Sequence, residues 1–138
     1  MEEMKFLIEN YQTHINQLDR LHRKLIKLLD YNISATAMYG HNTGGSKGSV
    51  NSKTERYALK IATLEEKIKK LEDKVYIVNI SERVLNRTER EVIDLVKIYR
   101  DKLTRIAEIL EKDKSYIQYK RDTAIKKMYE YYKTKKTT

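Results

Sequence analysis

Apolar side chains recur at helical spacing over most of this chain. From Met4 to about Ile33, the residues Met4, Leu7, Tyr11, Leu18, Leu21, Leu25 and Leu28 form a three-and-four repeat in which His14 fills one slot, and Ile8, Ile15 and Leu29 widen the stripe. This is the a/d seam of a helix that needs a partner. Tyr57, Ile61, Leu64, Ile68, Leu71, Val75 and Val78 repeat the pattern at intervals of 4, 3, 4, 3, 4 and 3. Ser52 and Glu55 before them have the form of a capping box that opens a long helix. Two such seams predict helices folded antiparallel on one another, because neither can leave its seam in water.

Between the seams, residues 34–51 (SATAMYGHNTGGSKGSVN) hold every glycine of the chain, at positions 40, 44, 45 and 48, and show no periodicity. They read as a flexible loop. Gly40 and Gly45 have the spacing of a phosphate-binding loop, but Ser46-Lys47 reverses the order such a loop needs and no strand precedes it, which excludes nucleotide hydrolysis.

The pattern changes after the link at 81–87. Thr88 followed by Glu91 reads as a capping box ahead of Val92, Ile93, Leu95, Val96, Ile98 and Tyr99. With Thr104 as a cap, Ile106, Ala107 and Leu110 make a short second helix. Glu111 and Lys112 make a turn, and Asp113 caps a third helix whose inward stripe is Ile117, Ala124, Ile125 and Met128. A short helix, a tight turn and a longer helix spell a helix-turn-helix, with the third helix as the element that enters the major groove of DNA. Stepping about 100° per residue from Ile117 points Ser115, Tyr119, Asp122 and Lys126 outward. The N-terminal part of such a helix reaches base edges, so Lys114, Ser115, Gln118 and Tyr119 are the base-contact candidates. Thr104, Arg105, Lys112, Lys120 and Arg121 are the phosphate candidates, with Arg121 at the edge of the apolar stripe and needing to snorkel outward.

The layout from Arg90 to Met128 resembles the promoter-reading helix-turn-helix domain at the C-terminus of bacterial sigma factors. The residues that carry it are Val92 and Leu95, then Leu103-Thr104-x-Ile106-Ala107-x-x-Leu110, then Ile117 followed by Ala124-Ile125. Glu111 stands where that family commonly has a turn glycine, and Lys120 where it commonly has an aliphatic residue. Upstream, the run from Asn42 to Ile61, a glycine-containing loop leading into Ser52-Lys53-Thr54-Glu55 and a long helix, is similar to the RinA and ArpU type of phage late-gene transcriptional activators. That resemblance covers roughly the last two-thirds of the chain. It implies a phage or prophage protein that binds promoter DNA, switches on packaging and lysis genes, and meets host RNA polymerase in the bacterial cytoplasm.

Composition narrows the class. The chain lacks Pro and Cys, which leaves little outside 40–48 to break a helix and excludes disulfides and thiolate metal sites. No run is apolar for the length of a membrane span, and the acidic start MEEMKFLIEN does not resemble a signal peptide. The formal charge of +9 divides as +1, +2 and +6 over residues 1–49, 50–86 and 87–138. The excess therefore sits on the proposed reader, as attraction to a polyanion requires. His14 and His22 have no cysteine or matched carboxylate at a ligand spacing and read as ordinary interfacial histidines. No nucleophile, metal cluster or acid pair stands out, so no catalysis and no cofactor are expected.

The expected architecture is thus all-α. A helical, coiled-coil-like hairpin at 1–86 supports oligomerisation, with homodimers or larger assemblies expected, and 87–138 form the helix-turn-helix DNA-binding domain with a basic tail. The function expected is sequence-specific binding of double-stranded DNA by a transcriptional activator. A small terminase subunit and a coiled-coil adaptor that binds no DNA are the other readings of the same pattern.

Overall fold

The structure is a computed structural model that describes residues 1–40 and 47–137, with the side chains of 1–31 and 53–136. Among the described residues the chain is helical and contains no strand. The elements are α1 (Glu2–Glu9), α2 (Tyr11–Gly40), α3 (Lys47–Ser81), a 3-10 turn (Glu82–Val84), α4 (Arg87–Tyr99), α5 (Leu103–Leu110) and α6 (Lys114–Thr137). No helix among the described residues is long and apolar enough to cross a membrane. The chain forms two compact units, one of residues 16–72 and the other of 1–15 with 73–138, so the division falls inside α2 and α3 rather than at residue 86.

In the 16–72 unit, the Tyr31 and Tyr57 rings lie 4.9 Å apart and His22 Nε2 is 3.5 Å from Glu72 Oε1. The later residue of α2 meets the earlier residue of α3, so the two helices run antiparallel. Leu18 and Ile68 are buried, whereas Leu21, Leu25, Leu28, Ile61, Leu64 and Leu71 are only half-buried. The loop expected at 34–51 is helical on both sides, to Gly40 and again from Lys47, and residues 41–46, including Gly45 and Ser46 of the near-match to a phosphate loop, lie outside the described residues. Ser52 is consequently inside α3 and does not cap it. The physical reason is permissive: Ala35, Ala37 and Met38 favour helix, no proline intervenes, and one glycine costs a helix only about 1 kcal/mol.

In the other unit, the helix expected from Met4 to Ile33 is interrupted at Asn10. Its backbone leaves the helical basin (φ −101°, ψ 10°), and its Nδ2 donates to the Phe6 carbonyl at 2.9 Å. Met4 and Ile8 are buried in a core shared with Val78, Leu85, Val92, Ile93 and Val96, and with Ile106, Ile117, Ala124 and Met128. The first helix thus belongs to the C-terminal core, where it packs on α4 and α6. Tyr11, at the start of α2, donates its hydroxyl to Asn79 Oδ1 at 2.8 Å.

Caps and turns set the remaining boundaries. α4 starts two residues before the expected position, because Asn86 accepts from the Glu89 amide at 2.9 Å while the Glu89 carboxylate accepts from the Asn86 amide at 3.0 Å. Asn86 and Glu89 form the capping box, and Thr88 lies inside the helix. The 3-10 turn and extended Leu85 (φ −84°, ψ 143°) leave Asn86 as the first residue able to cap. Nor does Thr104 cap α5, whose N-cap is Lys102 with no side-chain bond. Among the described residues, three that are not glycine adopt left-handed backbone: Arg100 (φ 51°), Asp101 (φ 65°) and Glu111 (φ 55°).

Glu111, the departure from the sigma-like turn glycine, thus takes the glycine-type conformation at the end of α5, with the Lys112 amide donating to the Ala107 carbonyl at 3.1 Å. A side chain with Cβ is strained there. Glu111→Gly is expected to raise stability by about 1 kcal/mol, read from the urea midpoint at unchanged slope. A loss of stability would show that the Glu111 side chain contributes more than the strain it causes.

Candidate nucleic-acid interface

α5, the turn Glu111–Asp113 and the first half of α6 present one continuous set of polar side chains. Ile117, Arg121, Ala124, Ile125 and Met128 are buried on one face of α6, because they recur at the three-to-four spacing that meets α4 and α5. The opposite face is thereby turned to solvent. Lys114, Ser115, Gln118 and Tyr119 are all exposed, Tyr119 at 66% of its surface. A shallow open depression lined by Thr104, Glu108, Glu111, Lys112, Asp113 and Lys114 separates the start of α6 from α5.

Four of the five phosphate candidates flank this face. Thr104, Arg105 and Lys112 are exposed, with Arg105 Nη1 3.6 Å from Glu108 Oε2. Lys112 and Lys120 place their ammonium groups 5.9 and 5.7 Å from the Tyr116 ring centroid. Lys120 is half-buried, at the position where the sigma-like pattern has an aliphatic residue, and its charge acts on the buried Glu89 carboxylate.

Arg121 is the exception, and it corrects the expectation that it snorkels to phosphate. The residue is 7% exposed, and its guanidinium bonds Asp101 Oδ2 through Nη1 and Asp122 Oδ1 through Nε at 3.0 Å. Lys5 Nζ stands 3.8 Å from the same Asp101 oxygen and 4.0 Å from Glu9 Oε1. One ionic cluster therefore joins α1, the left-handed turn before α5, and α6. Burial works against the Arg121 charge, but the hydrogen bonds it donates to Asp101 and Asp122 hold its pKa above the ordinary value. Burial, then the nearby Asp101 carboxylate, raises that of Glu9. These charges hold the orientation of α6 and are not available to a phosphate.

Two further buried charges escaped the sequence pattern. Lys97 pairs with Glu82, lies 3.8 Å from Asp94, and is stacked 4.2 Å over the Tyr11 ring. Glu89, 1% exposed, adds to its capping bonds an ion pair with Lys127 at 2.9 Å. Burial opposes its charge, yet Lys127 and the Asn86 amide outweigh that and lower its pKa below the ordinary 4.5. A depressed folded-state value makes Glu89 contribute stability that is complete above pH 4.5 and fades as pH falls through the lowered value. The stability advantage of the native chain over Glu89→Gln, followed by denaturant titration across that window, should therefore shrink on acidification. A difference independent of pH would contradict the ion pair.

The basic tail is ordered as helix. Lys133, Lys135 and Lys136 lie 5.1, 5.7 and 5.9 Å from the rings of Tyr129, Tyr131 and Tyr132, each four residues earlier. The tail lysines thereby support their own helix through cation–π contacts. No protein-family model, curated protein or solved structure matches the chain.

Proposed function

We propose that the chain is a sequence-specific, double-stranded-DNA-binding transcriptional activator in which α5 and α6 act as a helix-turn-helix and the start of α6 enters the major groove. The supporting observation is the start of α6: Lys114, Ser115, Gln118 and Tyr119 are all exposed within its first two turns, with Ser115 and Tyr119 pointing outward, while Ile117, Arg121, Ala124, Ile125 and Met128 are held in the core. Bases are read by exposed polar side chains on a rigid element, and phosphates by the cations around it. Gln118 suits adenine, which offers an acceptor and a donor to an amide. Lys112, Lys120, Arg105 and Thr104 supply backbone contacts. The resemblance to RinA and ArpU type activators makes the gene targets phage packaging and lysis genes, with host RNA polymerase as partner. The half-buried seams of the 16–72 unit favour a homodimer or larger assembly, since they leave apolar surface for a second copy.

Selection of bound sites from a pool of random duplexes tests the reading. It should enrich one motif, as an inverted repeat if copies bind in pairs. Lys112→Ala should weaken binding to all duplexes alike and reduce the slope of log affinity against log salt by about one unit. An unenriched pool would favour a non-reading role such as the coiled-coil adaptor. Ring assemblies that stimulate a packaging ATPase would favour a small terminase subunit.

A further inference from the structure

Counting charge by folded unit changes its distribution. Residues 16–72 carry 11 basic and 6 acidic side chains, while 1–15 with 73–138 carry 18 and 14. The unit without the reader helix therefore holds +5 of the net +9.

Within that unit the charges are sorted by side. Taking about 100° per residue from the inward row Leu18, Leu21, Leu25 and Leu28 places Arg20, Lys24 and Lys27 on one flank of α2, and His22, Ile26 and Leu29 on the other. The same step from Ile61, Leu64, Ile68 and Leu71 places Arg56, Lys60, Lys67 and Lys70 on one flank of α3, and Ala58, Ala62, Glu65 and Glu72 on the other. In an antiparallel pair, flanks of like hand adjoin. The contact of His22 with Glu72 shows the two less basic flanks meeting on one side, so the two basic flanks meet on the opposite side.

All seven of those basic side chains are exposed or nearly so, and their common side carries no carboxylate. Lys70 reaches around to Glu66 at 3.3 Å, and Lys60 lies 5.7 Å from the Tyr57 ring centroid. Arg20, Lys24, Lys27, Arg56 and Lys67 form no ion pair among the described residues.

We propose that this flank is a second DNA-backbone surface, one that binds phosphates without reading sequence, and this rests on the DNA-binding reading given above. From Arg56 to Lys70 it spans about 21 Å at 1.5 Å per residue, a straight row suited to several successive phosphates. A helix lying on a membrane would need a row of apolar side chains toward the lipid, whereas exposed Ile26 and Leu29 lie on the opposite flank of α2 and Tyr31 is the one exposed apolar side chain of α2 beside the basic row among the described residues. The flank increases affinity for any duplex, and α6 selects among duplexes.

The test uses the full chain with Lys24, Lys27, Arg56 and Lys67 all replaced by Gln, titrated against a random-sequence duplex of about 40 base pairs over a range of salt. The proposal expects the salt slope to fall by about 3.6 units, roughly 0.9 for each of four phosphate contacts, and random-duplex affinity by on the order of tenfold or more, with thermal unfolding and the cognate-to-random ratio unchanged. The matching four-site Lys→Arg and Arg→Lys variant should restore the native slope. An unaltered slope in the Gln variant would overturn the proposal. So would loss of binding to phosphatidylserine vesicles with DNA binding intact, which would assign the flank to a membrane. Because the duplex is random, the result does not depend on whether α6 reads sequence: failure of the reader would appear as an absent cognate preference with the slope difference still present.

Discussion

Arg121→Met should destabilise the unit built on 1–15 and 73–138 by about 3 kcal/mol, because it leaves the Asp101 carboxylate mostly buried with only Lys5, at 3.8 Å, to offset it. The size of the effect comes from the charge left behind more than from the bond lost. Asp101→Asn in the same background should therefore recover part of the loss, a coupling that a double-mutant cycle of urea midpoints measures. Additive effects of the two changes would show that the cluster is not cooperative. An Arg121 that contacted phosphate would behave differently, weakening DNA binding at unchanged stability.

Ile8→Ala should cost about 2–5 kcal/mol, the range for a large aliphatic side chain removed from a core that cannot collapse around the gap. Ile8 is fully buried against the side chains of α4 and α6. Hydrogen exchange should locate the loss: amides of α4 and α6 lose protection together with those of α1. Faster exchange confined to residues 2–9 would mean that α1 is an appendage and not part of this core. The same argument expects deletion of residues 1–10 to impair folding of residues 73–138, although the two lie far apart in sequence.

Much of the helical arrangement was legible because apolar periodicity reports it directly. The inward row Ile117, Ala124, Ile125 and Met128 is buried as its spacing requires, and the polar face of α6 follows from it. Periodicity was silent on where a seam changes its partner. The seam from Met4 to Leu28 is continuous in pattern, yet Met4, Ile8 and Tyr11 pack on the core of α4 and α6, and the chain passes to the other unit only after Ile15. Charged residues that fold inward were only partly visible to it: the count put Arg121 at the edge of the apolar stripe but could not show that Asp101 would hold it inside, and Lys97 and Glu89 have the composition of surface residues and are buried because partners from distant elements meet them. The capping boxes misled for a simpler reason. Thr88 with Glu91 and Asn86 with Glu89 have the same form, and only the path of residues 82–85 into the helix decides between them.

The central claim is that the exposed face of α6 reads sequence while the cations around it bind phosphate. Affinities for a selected site and for random duplex, measured side by side for Gln118→Ala and Tyr119→Ala with the melting temperature of each, test it most directly. The account predicts a loss of roughly 1–3 kcal/mol on the selected site with random-duplex binding and melting temperature unchanged. Equal weakening on both duplexes, or a fall in melting temperature with the ratio preserved, would contradict it.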